Sequence, residues 1–133
     1  MILVDTSVLI DFLKGNENKK VEILKAIINE QIPFAITSII YQEILQGAAN
    51  AREFKLLHRY LSTQRFLQPL NAIDTYHEAA LIYFNARKKG ITIRSTIDCL
   101  IAQIAIENDA SLLHNDKDFD RIAEISALRC IDI

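Results

Sequence analysis

Ile2-Leu3-Val4-Asp5-Thr6-Ser7-Val8-Leu9-Ile10-Asp11 is the stretch that decides the fold. Three aliphatic residues make a short buried strand. Asp5, Thr6 and Ser7 are all favourable helix N-caps, and Val8, Leu9, Phe12 and Leu13 then recur at helical spacing until Gly15-Asn16 stops them. The grammar is strand, cap, helix. It repeats at Phe34-Ala35-Ile36, where Thr37-Ser38 caps a helix with Ile40, Ile44, Leu45 and Ala48 on one face.

Between and after these units the pattern stays helical. Val21, Ile23, Leu24, Ile27 and Ile28 mark a second helix that ends before Pro33, and Ala51 to Leu61 marks another. Phe66-Leu67 begins a short third strand. Thr75 to Lys89 is a long helix with Ala79, Ala80, Ile82, Tyr83 and Ala86 expected inward, closed by Gly90. After a loop over Ile91 to Arg94, Ser95 caps a strongly apolar helix that ends near Asn108. Ser111-Leu112-Leu113 is a strand, Asn115-Asp116 a turn before a short helix, and Leu128 to Ile131 a last strand. Strands alternating with helices predict a parallel sheet of about four to five short strands in a three-layer α/β/α architecture, because parallel strands need crossover connections.

The chain has 133 residues, half of them apolar and 24% charged, with 3 Gly and 2 Pro. Those proportions exclude intrinsic disorder and disfavour many-turned β architectures. Without an internal repeat, linker or low-complexity tract, residues 1–133 are expected to form one domain. Fifteen basic against 17 acidic residues exclude a protein that coats nucleic acid by bulk charge. Cys99 and Cys130 are too few for a disulfide scaffold, no signal-type or membrane-spanning segment is evident, and a cytoplasmic location is expected.

Four acids occupy strand ends or helix starts. Asp5 follows the first strand, Glu43 lies early in the helix after the second, Asp98 opens the helix before the fourth, and Asp116 follows the fourth. Residues just past the carboxyl ends of parallel strands converge on one edge of the sheet, so Asp5 and Asp116 are expected to be neighbours. Taken singly, each has a plain structural role: Asp5 and Asp116 as N-caps, Asp98 in the capping-box-like Ser95-Thr96-Ile97-Asp98, Glu43 as a solvated helix residue. Capping alone does not require all four to face one crevice. Carboxylates gathered there repel unless a cation compensates them, and an all-oxygen set suits Mg²⁺ or Mn²⁺ rather than zinc.

The segments Ile2 to Asp11, Thr37 to Gly47 around Glu43, Ser95 to Ala102 around Asp98, and Leu112 to Phe119 around Asp116 together resemble the PIN-domain family, and within it the VapC toxins. The likeness spans nearly the whole chain. It implies a Mg²⁺- or Mn²⁺-dependent endoribonuclease that cuts single-stranded or loop RNA, a cognate VapB-type antitoxin that holds it inactive, and a homodimer. By position, Asp5, Glu43, Asp98 and Asp116 match the family's catalytic and metal-binding acids. Asp5 and Asp98 would be direct ligands, with Glu43 and Asp116 holding waters or a second ion. Asp118 and Asp120 are alternatives for the fourth acid, and Asp116 is preferred as the nearest to the strand end.

Thr6 or Ser7 matches a hydroxyl position near the site, and with Arg94 and Asn115 forms the expected substrate-binding group. Arg94 lies four positions before Asp98, in the loop that leads to it, where it could contact phosphate; Lys117 and Arg121 flank Asp116. With four acids bound to metal, 15 basic residues would stand against 13 acidic ones. Of His58, His77 and His114, only His114 lies near a strand end, and a packed role is the default for it. Phe54, Leu57 and Leu61 could offer a groove to a partner helix, although burial explains them as well. Three other functions are weaker. An inactive RNA-binding or regulatory module would not need all four acids. An aspartyl-phosphate hydrolase of the haloacid dehalogenase pattern wants an aspartate where Ser7 stands, and a flap-type DNA nuclease needs segments this chain is too short to hold.

Overall fold

The computed structural model describes residues 1–131. Its elements are β1 (Ile2–Val4), α1 (Thr6–Lys14), α2 (Lys19–Asn29), β2 (Phe34–Thr37), α3 (Ser38–Gln46), α4 (Ala51–Leu61), β3 (Arg65–Leu67), α5 (Asp74–Lys88), α6 (Thr96–Glu107), β4 (Ser111–Leu113), α7 (Lys117–Ile125) and β5 (Arg129–Cys130). The strands form one parallel sheet in the order β3-β2-β1-β4-β5, with Leu3 opposite both Ala35 and Leu112. The expected three-layer α/β/α architecture with a five-stranded parallel sheet is therefore present.

The apolar runs explain the sheet. Leu3, Val4, Ala35, Ile36, Leu112 and Leu113 are all fully buried, as strands covered by helices on both faces must be. Burying each large aliphatic side chain contributes about 1.5–3 kcal/mol. Helix ends are set locally. Gly15 adopts a left-handed conformation at φ 76° and closes α1, while Asn18, Thr37, Asn50 and Ser95 each accept a backbone N–H at a helix start.

The last strand is shorter than the sequence suggests, and α5 turns one expected residue outward. Thr75, Ala79, Ile82 and Ala86 form the buried stripe of α5, whereas Ala80 is exposed and Tyr83 half-buried. Helix α5 packs on α6 and α7. Its other apolar residues, Leu81 and Phe84, join Ala80 on the solvent side.

The strand order places β1 and β4 side by side at the sheet's centre, and the chain runs from β1 to one side and from β4 to the other. At such a switch point the two exits diverge, and a crevice opens at the carboxyl ends of the strands. Asp5 leaves β1 there and donates its backbone N–H to Leu113 O at 3.0 Å.

Candidate active site

Asp5 occupies the N-cap of α1 and is 5% exposed. Its Oδ2 accepts from Ser7 N at 3.0 Å and from Ser7 Oγ at 2.7 Å, so the capping role and the crevice position coexist in one residue. Ser7 Oγ in turn accepts from Asn115 N at 2.9 Å, which ties the exit of β1 to the exit of β4. Thr6 Oγ1 donates to Glu43 Oε1 at 2.9 Å and fixes the half-buried carboxylate of α3 against the start of α1. The two hydroxyls expected near substrate thus each hold an acid.

Asp98 sits in the first turn of α6, where Ser95 Oγ accepts from Ile97 N and provides the cap. Burial, followed by the charges of Asp5, Asp116, Asp118 and Glu43, pushes the Asp98 carboxyl up to about 7. Asp5 is also raised, chiefly by burial and against the pull of its Ser7 bonds. All four expected acids therefore share one electrostatic environment.

Asp116 caps α7 through Oδ1, which accepts from Asp118 N at 3.0 Å. Candidate ligand oxygens of Asp98, Asp116 and Asp118 all lie within 4.8 Å of one another. Asp118 is only 1% exposed, but its charge is engaged elsewhere. Its Oδ2 accepts from Arg94 N at 3.0 Å and Arg94 Nε at 3.3 Å, and its Oδ1 accepts from Arg121 Nη1 at 2.7 Å. Burial alone would raise this carboxyl; the bonds to Arg94 and Arg121 outweigh it and hold the pKa below the usual range. Asp120 lies at the exposed side, 3.4 Å from His114 Nε2.

Arg94 stands at the rim of the cluster rather than apart from it. Its Nη2 donates to Asp116 Oδ1 at 3.2 Å while most of the side chain stays open to solvent. This pairing was not visible in the sequence, since Arg94 and Asp118 are 24 positions apart. The buried place of Asp118 beside Asp116 also lacked a decisive signal, because Asp116, Asp118 and Asp120 all fall at the start of one helix.

The set presents carboxylate oxygens, close together and insufficiently neutralised by Arg94. A raised carboxyl at about 7 among four other acids is the signature of a site that a hard cation would relieve, so the residues present fit Mg²⁺ or Mn²⁺ by donor chemistry.

Comparison with known proteins agrees with the fold. The PIN domain model matches residues 2–125. Ribonuclease VapC11 of Mycobacterium tuberculosis and VapC ribonuclease Mb1587 of Mycobacterium bovis are each 38% identical over 130 residues, covering 97% of this chain and 96% of theirs. Among solved structures, VapBC-1 from nontypeable Haemophilus influenzae aligns at TM-score 0.73 and 25% identity over 99% of this chain and 98% of that one. FitAcB from Neisseria gonorrhoeae aligns at TM-score 0.71 and 20% identity, over 99% and 97% of the respective chains. The chain belongs to the PIN-domain family, among its VapC members.

Proposed function

We propose that residues 1–133 form a single PIN domain that acts as a Mg²⁺- or Mn²⁺-dependent endoribonuclease toxin. It cuts single-stranded or loop RNA in the cytoplasm and is neutralised by a cognate VapB-type antitoxin. The observation that carries this reading is the convergence of Asp5, Glu43, Asp98 and Asp116 at the switch point of the sheet, with Asp98 raised to about 7 by its surroundings. The VapC relatives support the ribonuclease activity, and the VapBC complexes among similar structures support the antitoxin.

In this reading Asp5 and Asp98 are direct metal ligands, and Glu43 and Asp116 complete the catalytic set. A divalent ion held there would supply positive charge that lowers the pKa of the attacking water and neutralises charge developing on the phosphoryl oxygens. Ser7 holds the Asp5 carboxylate in its ligating orientation, and Thr6 does the same for Glu43. Each hydroxyl donates its one proton to that carboxylate and keeps a lone pair that could accept a hydrogen bond from the attacking water. Arg94 and Asn115 lie on the open rim, where an RNA backbone would enter; metal binding at Asp116 would release Arg94 Nη2 to the incoming phosphate.

Two surfaces support the assembly side of this proposal. A groove of about 430 Å³ between α1, α3 and α4 is lined by Ile10, Leu13, Ile44, Leu56, Leu57 and Tyr60, dimensions and chemistry suited to an amphipathic antitoxin helix. Helix α5 and the Ile73 that precedes it expose Ile73, Tyr76, Leu81 and Phe84, apolar residues suited to a second copy in a homodimer. Among the described residues no helix is long and apolar enough to cross a membrane.

The proposal is tested by incubating the protein and its Asp5→Asn variant with end-labelled single-stranded and hairpin RNAs in Mg²⁺, Mn²⁺ or EDTA. Cutting by the wild type alone, and only with metal, is expected. A wild type that leaves a broad RNA panel intact would favour an inactive RNA-binding or regulatory module instead.

A further inference from the structure

His114 is the first residue after β4, and at 3% exposure it is too buried to meet a substrate. Its ring lies on Phe119, with centroids 5.1 Å apart, and Phe119 is itself fully buried. The core therefore fixes the imidazole plane. Nδ1 accepts the backbone N–H of Asp116 at 3.1 Å. A ring nitrogen that accepts carries no proton, so this bond selects the neutral tautomer with hydrogen on Nε2. Nε2 sits 3.4 Å from Asp120 Oδ1 without a hydrogen bond, and it is the buried side-chain polar atom that lacks a hydrogen-bond partner among the described residues.

The bond from Asp116 N to His114 runs from position i+2 back to the side chain of i, a turn that Asp and Asn ordinarily make. It is followed at once by the same geometry one step on, where Asp116 Oδ1 accepts from Asp118 N. Two successive bonds thus fix the backbone from which the Asp116 carboxylate projects. An aspartate at 114 could accept the same N–H, but it would add a further negative charge beside Asp5, Asp98, Asp116 and Asp118. The imidazole accepts while remaining uncharged.

We propose that His114 is a positioning residue: a buried, neutral acceptor, clamped by Phe119, that holds the Asp116 backbone so that its carboxylate faces Asp98. The proposal rests on the reading of Asp116 as a metal-binding acid. It assigns the histidine no contact with RNA or metal; the histidine acts through Asp116.

The test compares His114→Asn, which returns an acceptor two positions before the Asp116 N–H, with His114→Leu, which fills the space and accepts nothing. Both lose the ring on Phe119, so a purely structural role lowers the melting temperature of both. Two further readouts separate them: amide hydrogen exchange at Asp116 in EDTA, and Mn²⁺ affinity measured from the paramagnetic resonance of the free ion. His114→Leu should exchange faster at Asp116 and bind Mn²⁺ roughly tenfold more weakly, the scale of losing a residue that orients a ligand, while His114→Asn stays near wild type in both. Wild-type Mn²⁺ binding by His114→Leu, or equal weakening in both variants, would overturn the positioning role. Asp116→Asn is the control for the foundation: if it binds Mn²⁺ as tightly as wild type, the metal-site reading fails and the proposal falls with it; if it binds weakly while His114→Leu does not, only the positioning role fails.

Discussion

Replacing Asp98 by asparagine should stabilise the metal-free protein, by an amount that grows with pH. In the native state burial and the charges of Asp5, Asp116, Asp118 and Glu43 raise this carboxyl from 3.8 to about 7. The sign follows from linkage. Below the unfolded value both states are protonated and Asp98 costs nothing; between 3.8 and about 7 the unfolded chain loses its proton first, so native stability falls; above about 7 the full penalty persists. At about 1.36 kcal/mol per pH unit of difference the ceiling is about 4 kcal/mol. Asp98 is partly open to solvent and titrates together with its neighbours, so screening and coupling reduce the expected gain to about 1–2 kcal/mol. For a domain of this size that is about 3–10 °C in melting temperature. The assay is thermal unfolding followed by circular dichroism in EDTA at low ionic strength, from pH 4.5 to 8.5, for wild type and Asp98→Asn. The two curves should meet near the acid end and separate towards neutrality, with the variant higher. A separation independent of pH, or a wild type more stable than the variant at pH 8, would refute the crowded-carboxylate account.

Other consequences are equally specific. Adding Mg²⁺ should raise the melting temperature of wild type more than that of Asp98→Asn, because the ion binds the native acids preferentially, and equal shifts would place the ion elsewhere. Asp118→Asn should show the opposite pH behaviour to Asp98→Asn. Its carboxyl is held low by Arg94 and Arg121, so the stability it contributes is present above about pH 4 and lost as pH falls through the native pKa; the variant should be about 1–3 kcal/mol less stable than wild type at pH 7 and close to it in acid. Arg94→Ala should weaken RNA binding and reduce the slope of log affinity against log salt by about 1, measured by fluorescence anisotropy with the Asp5→Asn protein as the uncut background. Phe119→Ala should cost about 3–5 kcal/mol in urea unfolding, since the side chain is fully buried and packs on the His114 ring.

Much of the architecture was legible because the apolar periodicity and the caps agree. Asp5 illustrates this twice over: its position after Ile2-Leu3-Val4 announced both the end of a strand and the start of a helix, and its place in the crevice follows from parallel topology. The proximity of Asp5 and Asp116 could be anticipated from strand ends alone, whereas Glu43 and Asp98 sit within helices and reach the same crevice only through the packing of α3 and α6. What the sequence could not convey were pairings across long separations. Arg94 looked like a phosphate contact because a lone exposed arginine in a loop has no visible partner; in the fold it bridges Asp116 and Asp118. Asp118 ranked behind Asp116 by distance from the strand end, and only the fold shows that it is the one that turns inward, at 1% exposure. His114 was obscure for a related reason. It lies where a strand bends into a turn, so alternation does not predict its face, and the turn it makes ordinarily uses Asp or Asn. Ala80 failed as a core residue because helical spacing defines a stripe but not its width.

The most direct test of the central claim is the Mg²⁺ dependence of single-turnover cleavage of an end-labelled RNA by wild type and by Asp98→Asn. A wild-type rate that rises with Mg²⁺ to saturation and vanishes in EDTA, with the variant inactive at every concentration while still folded, is the predicted result. Cleavage that persists in EDTA, or proceeds at the wild-type rate without the Asp98 carboxylate, would contradict it.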